Sequence, residues 1–334
     1  MLEGKKILIT GGTGSLGQAL TNRLLKSKVD TIRIFSRNES KQVEMQSKFE
    51  DDRLRFLIGD IRDLPRLSRA LENIDIVFHA AALKHVPKVE YNPFEAIKTN
   101  VIGSQNVIDA CLAENVDLAI AVGTDKAVSP LNTYGATKLL MEKLFVNVSN
   151  YASPEKHKTK FIALRYGNVL GSSGSVIPMF IKQIKEKKKV TITDPHMTRF
   201  SITMDEALDF ILDATLMGKG SEIFLPKLRS YSILNVKNAL HDLLGNTGDE
   251  IIGIRPGEKL HETLLNNDEM RYSWSLENKY LLTNPLISDE DIKKHYPGIK
   301  KITNIERYSS DIVESIPTDE LKQLIQKSGM LDVD

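Results

Sequence analysis

Two side chains four residues apart in this chain could together remove a proton from an alcohol. Tyr134 and Lys138 have the spacing that places both on one face of a helix. An ammonium beside a phenol stabilises the phenolate and lowers the tyrosine pKa from about 10. Tyr134 could then act as a base while a hydride leaves the same carbon. Thr124, at the end of a predicted strand, and a glycine-rich segment upstream make this spacing informative.

The glycine-rich segment lies where a predicted strand gives way to a helix. Such glycines allow a tight turn, a close approach of the backbone to a pyrophosphate and close helix-to-strand packing. The helix N-terminus then faces the anionic phosphates. The spacing Gly-x-x-Gly-x-x-Gly resembles that of the short-chain dehydrogenase/reductase superfamily. The segment that we expect to bind a dinucleotide comprises Gly11, Gly12, Thr13, Gly14, Ser15, Leu16 and Gly17.

The end of the second predicted strand bears on the choice between NAD and NADP. An acidic residue about 20 positions beyond the glycine loop would bind a ribose 2′-hydroxyl. This chain has Ser36 and Arg37 there, with Lys41 one helical turn further on. A hydroxyl, a guanidinium and an ammonium can bind a 2′-phosphate, so we expect NADP. Glu39 is nearby, and a solvated loop is the alternative interpretation.

Short apolar runs alternate with amphipathic stretches through the first half of the chain. The predicted strands are Lys6–Thr10, Thr31–Phe35, Leu54–Ile58, Ile74–His79 and Leu118–Val122. The predicted helices are Leu16–Lys26, Glu39–Phe49, Leu64–Leu71, Pro93–Glu114 and Tyr134–Asn147. This alternation predicts an α/β fold, a Rossmann-like doubly wound parallel sheet with helices on both faces.

The second half is less regular, and no Gly/Ser/Pro linker separates it from the first. Predicted elements are a strand at Phe161–Arg165, a helix from a capping box at Thr203–Glu206 through Leu216, a strand at Glu222–Leu225, and helices at Asn235–Leu244 and Pro317–Lys327. We expect residues 1–170 to form the NADP-binding domain, to which residues from about 200 to 225 return. Residues 171–334 should form mainly a smaller, interwoven α/β substrate domain and a tail.

Composition narrows the function class. A net charge of +1 over 334 residues gives no reason to expect nucleic acid or an anionic membrane as a partner. The single cysteine, Cys111, lies in an apolar-periodic stretch typical of a core, and no metal-ligand spacing is convincing. The chain passes almost directly into a strand, and no apolar run approaches the roughly 20 residues of a membrane helix. We therefore expect a cytoplasmic protein without a metal.

A longer set of motifs resembles one family of nucleotide-sugar enzymes. The stretch Thr-Asp-Lys-Ala-Val-Ser-Pro-Leu-Asn-Thr-Tyr-Gly-Ala-Thr-Lys begins at Thr124 and contains Asp125 and Lys126. It is similar to that of the configuration-inverting UDP-N-acetylglucosamine 4,6-dehydratases, which belong to the extended short-chain dehydrogenases. Further family-like stretches are His79–Pro87, Arg165–Gly171, Met197–Phe200 and Arg255–Glu262. The resemblance covers all but about the last 50 residues.

The resemblance implies internal redox chemistry on the sugar. Oxidation of C4 acidifies the C5 proton, a base removes it, the C6 hydroxyl departs as water, and the hydride returns to C6. Lys126 would be the C5 base, Asp125 would protonate the leaving hydroxyl, and Thr124 would hold the C4 oxygen. A lysine base must be neutral, which requires burial or a cationic neighbour to lower its pKa. An ordinary surface pair of Asp125 and Lys126 is the alternative.

The resemblance also implies the groups that bind cofactor and substrate. Cofactor neighbours would be Asp60, Ile61, Ala80, Ala81, Ala82, Lys84, Asn100, Tyr134 and Lys138. Substrate neighbours would be Lys84, Asn168, Arg199, Arg255 and Glu258, with the two arginines on the diphosphate of UDP-N-acetylglucosamine. For each, a surface ion pair or a structural hydrogen bond is the alternative, notably for Asn100.

Two other functions stay open at this point. A UDP-N-acetylhexosamine 4-epimerase would use Tyr134 and Lys138 alike but has no need of Asp125 and Lys126. A non-enzymatic NADP-binding module would usually lack the tyrosine or the lysine. The family resemblance implies a homo-oligomer, a dimer or a hexamer.

Overall fold

A large mixed sheet forms the centre of the computed structural model, which describes residues 2–171 and 175–332. The strands of the first half are β1 (Lys6–Thr10), β2 (Thr31–Ser36), β3 (Leu54–Ile58), β4 (Ile76–His79), β5 (Leu118–Val122) and β6 (Lys160–Leu164). The helices of this half are α1 (Ser15–Leu25), α2 (Glu39–Phe49), α3 (Leu64–Leu71), α4 (Val86–Tyr91), α5 (Pro93–Ala96), α6 (Gly103–Ala113) and α7 (Thr133–Val146). The predicted β/α alternation of this half is confirmed, with element ends shifted by two residues at most outside the helix predicted at Pro93–Glu114.

The second half adds shorter strands. They are β7 (Val190–Ile192), β8 (Thr198–Phe200), β9 (Glu222–Pro226), β10 (Ser230–Ser232), β11 (Asp249–Ile251), β12 (Thr263–Leu265), β13 (Ser273–Leu276), β14 (Lys279–Thr283), β15 (Lys300–Lys301) and β16 (Tyr308–Ser309). The helices are α8 (Val176–Lys185), α9 (Met204–Met217), α10 (Ile233–Leu244), α11 (Asn267–Met270), α12 (Asp289–His295) and α13 (Thr318–Lys327). The predicted capping box at Thr203 is present, since its side chain and that of Glu206 bond each other's backbone N–H groups.

The strand order of the large sheet is β15-β13-β14-β9-β6-β5-β4-β1-β2-β3. Strands β3 through β9 in this order pair in parallel, whereas β14, β13 and β15 add antiparallel. The order 3-2-1-4-5-6 is that of a doubly wound dinucleotide-binding fold, and its direction reverses between β1 and β4. The predicted α/β Rossmann-like class is therefore confirmed, although the antiparallel extension was not predicted.

Both faces of the parallel strands are buried under helices. Ile7 and Ile9 of β1 belong to one apolar cluster, whereas Leu8 between them belongs to a second cluster. Successive strand residues point to opposite faces, so a strand covered on both sides must be apolar throughout. This explains why the strands read as nearly continuous apolar runs.

One predicted helix, Pro93–Glu114, is divided in the structure. Residues Ile97–Ile102 form a π-helical segment between α5 and α6, and the additional helix α4 precedes them. The π segment contains Asn100, whose side chain bonds the backbone of Leu83. Hydrogen-bond periodicity of this kind leaves no mark in the apolar pattern and is frequent at functional sites.

The small strands of the second half pair with one another beside the large sheet. β8 pairs with β10, β7 with β11 and β12 with β16, while α8, α10 and α13 enclose a separate apolar cluster around Phe180, Leu240 and Leu321. β9, by contrast, pairs with β6 in the large sheet. These pairings support the division into two interwoven domains, which stays a prediction. Within residues 2–171 and 175–332, no helix combines the length and apolarity needed to cross a membrane.

Candidate active site

The segment after β5 brings the candidate chemical groups to the carboxyl edge of the sheet. Gly123 follows the strand, and a Cβ at that position would lie 2.6 Å from Oε1 of Glu142. A short 3-10 turn then holds Asp125, Lys126 and Ala127. The Thr124 hydroxyl donates to Oδ1 of Asp125 at 2.8 Å, and Asp125 is only 2% exposed. Asp125 is therefore buried and Lys126 half-buried, so the alternative of an ordinary surface pair does not describe them.

Lys126 is enclosed by hydrogen-bond acceptors. Its Nζ lies 3.2 and 3.3 Å from the two carboxylate oxygens of Asp125 and 3.1 Å from Oδ1 of Asn168. Burial acts to lower the pKa of Lys126, but the carboxylates of Asp125 and Glu262 outweigh it, and the net pKa is raised. The lowered pKa that a neutral lysine base requires is not found at Lys126, since buried anions accompany the amine.

Tyr134 and Lys138 lie on α7, which begins after Asn132 accepts a hydrogen bond from the N–H of Gly135 at 2.8 Å. Both side chains are buried, and the Thr124 hydroxyl near the phenol acts to lower the pKa of Tyr134. Nζ of Lys138 donates to the carbonyl oxygen of Val122 at 2.8 Å. Burial raises the pKa of Tyr134 and lowers that of Lys138 to about 8. The expected lowering of the Tyr134 pKa is therefore not found, because burial raises it and the carboxylates of Asp125 and Glu142 raise it further.

A buried ion triad fixes the catalytic helix to the second half of the chain. Arg165, at the end of β6, contacts Oε2 of Glu142 on α7 at 2.6 Å and Oε2 of Glu269 on α11 at 2.9 Å. Its Nη1 also donates to the carbonyl oxygen of Leu264 at 2.8 Å. Arg165 and Glu142 are fully buried. The motif Arg165–Gly171 includes this arginine, but nothing in the sequence indicates the ion triad.

The glycine loop has the shape that a pyrophosphate requires. Gly11 has φ +66°, and a Cβ there would lie 2.8 Å from the backbone of Ala81. The loop ends at Gly14, where α1 begins without an acidic residue in its first turn. N–H groups at such a helix start attract an anion. The fold therefore fits the dinucleotide predicted from Thr13, Ser15, Leu16 and Gly17.

Next to this loop lie the groups expected near the adenosine end. Ser36 is nearly buried, and its hydroxyl accepts a hydrogen bond from Gln42 at 3.0 Å. Arg37 and Lys41 are exposed. Nη1 of Arg37 lies 3.7 Å from Oδ2 of Asp60. The predicted pair of cations thus stands open to solvent at the end of β2.

The remaining predicted cofactor neighbours follow β3 and β4. Ile61 is buried, whereas Ala80, Ala81 and Ala82 are half-buried directly after β4. Lys84 is exposed. Asn100 is fully buried, and its amide bonds the backbone of Leu83 and donates to Oγ1 of Thr137 at 3.0 Å. This pattern is the structural hydrogen bonding that the sequence left open for Asn100.

The substrate side of the site depends on pairings between distant segments. Arg199 on β8 donates to the carbonyl oxygens of Thr198 and Leu260 at 2.8 and 3.0 Å, and its guanidinium lies 3.5 Å from Oε1 of Glu258. Arg199 is 8% exposed, whereas Arg255 is exposed. The two predicted diphosphate ligands therefore differ, since only Arg255 projects into solvent.

Glu262 is a site residue that the sequence did not single out. It is 3% exposed, and its carboxylate bonds Asn168, which in turn bonds Lys126. It closes the Arg255–Glu262 motif, and a carboxylate immediately before an apolar strand was the available signal. The structure therefore brings Asp125, Lys126 and Asn168 together with an unexpected second acid.

Known proteins similar to this chain include one named as a 4,6-dehydratase and one named as a 4-epimerase. The polysaccharide biosynthesis protein family matches residues 7–284. A protein of Campylobacter jejuni named UDP-N-acetylglucosamine 4,6-dehydratase (inverting) is 49% identical over 85% of this chain and 84% of its own length. A Rickettsia massiliae protein named UDP-glucose 4-epimerase is 40% identical over 97% of this chain and 96% of its own.

Solved structures agree with the fold. The crystal structure of Pen from Bacillus thuringiensis has a TM-score of 0.91 and 39% identity, covering 99% of this chain and all of that one. A dTDP-glucose 4,6-dehydratase from Streptomyces venezuelae has a TM-score of 0.70 at 21% identity, over 86% and 94% of the two chains, which shows the shared fold alone. The family resemblance read from the motifs is confirmed: the chain belongs to the polysaccharide biosynthesis protein family of Rossmann-type nucleotide-sugar dehydratases and epimerases.

Proposed function

We propose that this chain is a hydro-lyase, a UDP-N-acetylglucosamine 4,6-dehydratase that inverts C5. The observation that carries the proposal is the pairing of the buried Asp125 with Lys126, at 3.2 Å, beside Tyr134. An alcohol oxidation requires Tyr134 and Lys138, whereas an elimination requires a further base and acid. Two relatives of this name are 49% and 47% identical to the chain.

The residues divide the reaction between them. Tyr134 takes the proton of the C4 hydroxyl, while the neighbouring Thr124 hydroxyl holds the same oxygen. A nicotinamide cofactor held at the glycine loop around Gly11 and Gly14 would supply the hydride transfer from C4 and back to C6. Lys126 removes the C5 proton and passes it to the Asp125 carboxylate 3.2 Å away, which delivers it to the departing C6 hydroxyl. A proton from solvent then replaces it at C5. Lys138, while it is protonated, places a positive charge on the face of α7 that carries the Tyr134 phenol.

The charges around Lys126 set a condition on this mechanism. Asp125 and Glu262 raise the pKa of Lys126, so the ammonium predominates near neutral pH. The C5 step then proceeds through the neutral fraction of Lys126, which grows as the pH rises. We expect exchange of the C5 proton with solvent to accelerate from neutral to alkaline pH.

The nucleotide part of the substrate would be bound from the second half of the chain. Arg255 is exposed beside Glu258, which accepts from its backbone N–H at 3.4 Å. A guanidinium suits bidentate contact with a diphosphate. Arg199 would join it by exchanging its contact with Glu258, which would then hold ribose hydroxyls. Lys84 and Asn168 would contact the sugar or phosphate from the sheet side.

A nicotinamide cofactor fits the glycine loop, and we propose NADP in particular. Arg37 and Lys41 are exposed at the end of β2, where a 2′-phosphate would lie. Titration of the protein with NADP and NAD should give tighter binding of NADP, and the variant Arg37→Met should reduce that preference. Equal affinities in the parent protein would contradict the assignment.

The rival activity, a 4-epimerase, is favoured by one finding, the 40% identity to a protein named UDP-glucose 4-epimerase. Proton NMR in deuterated water with UDP-N-acetylglucosamine separates the two. A dehydratase gives a C6 methyl signal and deuterium at an inverted C5, whereas an epimerase gives UDP-N-acetylgalactosamine without a methyl group. Failure of both signals, with NADP added, would contradict the proposed substrate.

We further propose a homo-oligomer, a dimer or a hexamer, in the cytoplasm. Tyr91, Phe94 and Leu140 are 87%, 61% and 49% exposed on the neighbouring helices α4, α5 and α7. Apolar side chains grouped in this way mark protein interfaces, and a second copy would cover them. Light scattering should give a mass of at least two chains, and a monomer at micromolar concentration would contradict this.

A further inference from the structure

Glu262 is held more firmly than a surface carboxylate. Its Oε2 accepts a hydrogen bond from the N–H of Phe200 at 2.9 Å, and its Oε1 accepts from Nδ2 of Asn168 at 2.5 Å. Nε of Arg199 lies 3.5 Å from the same Oε1. The backbone N–H of Glu262 donates to the hydroxyl of Ser310 at 2.9 Å. Main chain and side chain are therefore both fixed.

This carboxylate decides the orientation of the Asn168 amide. An ionised carboxylate only accepts hydrogen bonds, so the amide must present its NH₂ group to Glu262. The amide oxygen of Asn168 then faces the opposite way, where Nζ of Lys126 lies 3.1 Å from it. Reversal of the amide would place a donor against the amine. Glu262 thus ensures that Lys126 meets an acceptor.

The acceptor matters because a base needs its lone pair directed at the proton it removes. A neutral lysine has two N–H bonds and one lone pair. Asp125, at 3.2 Å, and Asn168 can each accept one of those N–H bonds. The lone pair is then left for the third direction, away from both. Without the fixed amide, rotation of the amine would spread the lone pair over several directions.

We propose that Glu262 is a positioning residue for proton transfer at C5, acting on Lys126 through Asn168 and through its own negative charge. This inference rests on the proposed dehydratase function and deepens it. Glu262 touches neither Tyr134 nor Lys138 in the structure's hydrogen bonds among the described residues. Oxidation at C4 should therefore proceed without it.

The charged groups around Glu262 and Lys126 determine how the C5 step should depend on pH. Asp125, Arg199, Tyr231 and Lys259 surround Glu262 and Lys126. Burial, followed by Asp125, raises the pKa of Glu262 to about 7, so the carboxylate is ionised above that pH, in the range where neutral Lys126 forms. Its charge raises the pKa of Lys126. Removing that charge lowers the lysine pKa, so the neutral amine forms at lower pH.

The test compares Glu262→Gln with Glu222→Gln. Glu222 on β9 is equally buried, 3% exposed, and bonds the N–H of Gly220 outside the site. Two rates are measured for each variant and the parent: deuterium incorporation at C5 by NMR, and appearance of reduced nicotinamide on mixing with UDP-N-acetylglucosamine. For Glu262→Gln we expect exchange to fall about tenfold at its pH optimum. In a plot of the C5 exchange rate against pH, the rise on the acidic side, the acidic limb, should move to lower pH by about one unit.

The outcomes separate the inference from the proposed function. Retained nicotinamide reduction in Glu262→Gln, with slower exchange and a shifted limb, supports the positioning role, and Glu222→Gln should match the parent protein. Unchanged exchange and an unchanged limb would overturn it. So would an equal loss of reduction and exchange, because that indicates general structural damage. A parent protein that reduces nicotinamide but never exchanges C5 would overturn the dehydratase function itself.

Discussion

The two sides of the site are assembled in different ways. On the cofactor side, the glycine loop and the Thr124–Lys126 segment each follow a parallel strand. Within each of these two segments, the site residues are close in sequence. On the substrate side, the contacts join distant segments: Asn168 bonds Glu262 across 94 positions, and Arg199 meets Glu258 across 59. Parallel topology gathers the first set at one edge without further contacts. The second set depends on hydrogen bonds and ion pairs between segments distant in sequence.

This difference predicts different consequences of mutation. The cofactor side carries the groups that touch the reacting atoms, so changes there should alter kcat. The exposed Arg255 of the substrate side should alter KM instead. Arg165 joins the two sides, because it contacts Glu142 of α7 and Glu269 of α11.

Arg165→Met should therefore have the largest effect, on stability itself. It leaves the fully buried Glu142 and the largely buried Glu269 without their cation, and breaking a buried pair in this way costs about 3–5 kcal/mol. Arg229→Met is the matched control, since Arg229 pairs with Glu320 but is 39% exposed in its side chain. An exposed pair contributes about 0–1 kcal/mol. The free energy of unfolding in urea measures both, and equal losses would contradict the joining role of Arg165.

The next largest effects should come from Lys126→Met and Tyr134→Phe, which separate elimination at C5 from oxidation at C4. We expect Lys126→Met to slow C5 exchange by about 10²-fold while reduction of nicotinamide by the substrate continues. Tyr134→Phe should slow both, because oxidation at C4 precedes the acidification of C5. Stopped-flow absorbance reports reduction and NMR reports exchange. If Lys126→Met lost both together, the assignment of Lys126 to the elimination alone would be wrong.

The same contrast explains which features of the fold and the site the sequence alone could predict. Strands such as β1 and β3, and the helix spacing of Tyr134 and Lys138, follow from local apolar periodicity. The π segment around Asn100 depends on backbone bonding that periodicity does not record. Glu262 and the buried partners of Arg165 depend on long-range pairing. The pKa values of Tyr134 and Lys126 depend on burial, which a spacing rule omits.

The pH dependence of C4 oxidation gives a smaller effect. Burial lowers the pKa of Lys138 to about 8, so its ammonium is present below that pH and is lost above it. Reduction of nicotinamide should then fall about tenfold for each unit above pH 8, while C5 exchange from a preformed ketone rises. Lys138→Arg keeps the charge and should remove the decline, although from a lower starting rate. A decline that persists in Lys138→Arg would assign it to another group.

The smallest effect should come from the substrate side. Arg255→Met should raise KM for UDP-N-acetylglucosamine about fivefold with kcat nearly unchanged, since a lost diphosphate contact weakens ground state and transition state alike. Arg69→Met, an exposed arginine in the last turn of α3, is the control and should leave KM unchanged. A fall in kcat at constant KM would place Arg255 among the groups that act on the reacting atoms. The contrast between a catalytic cofactor side and a binding substrate side would then fail at the residue where solvent exposure makes it clearest.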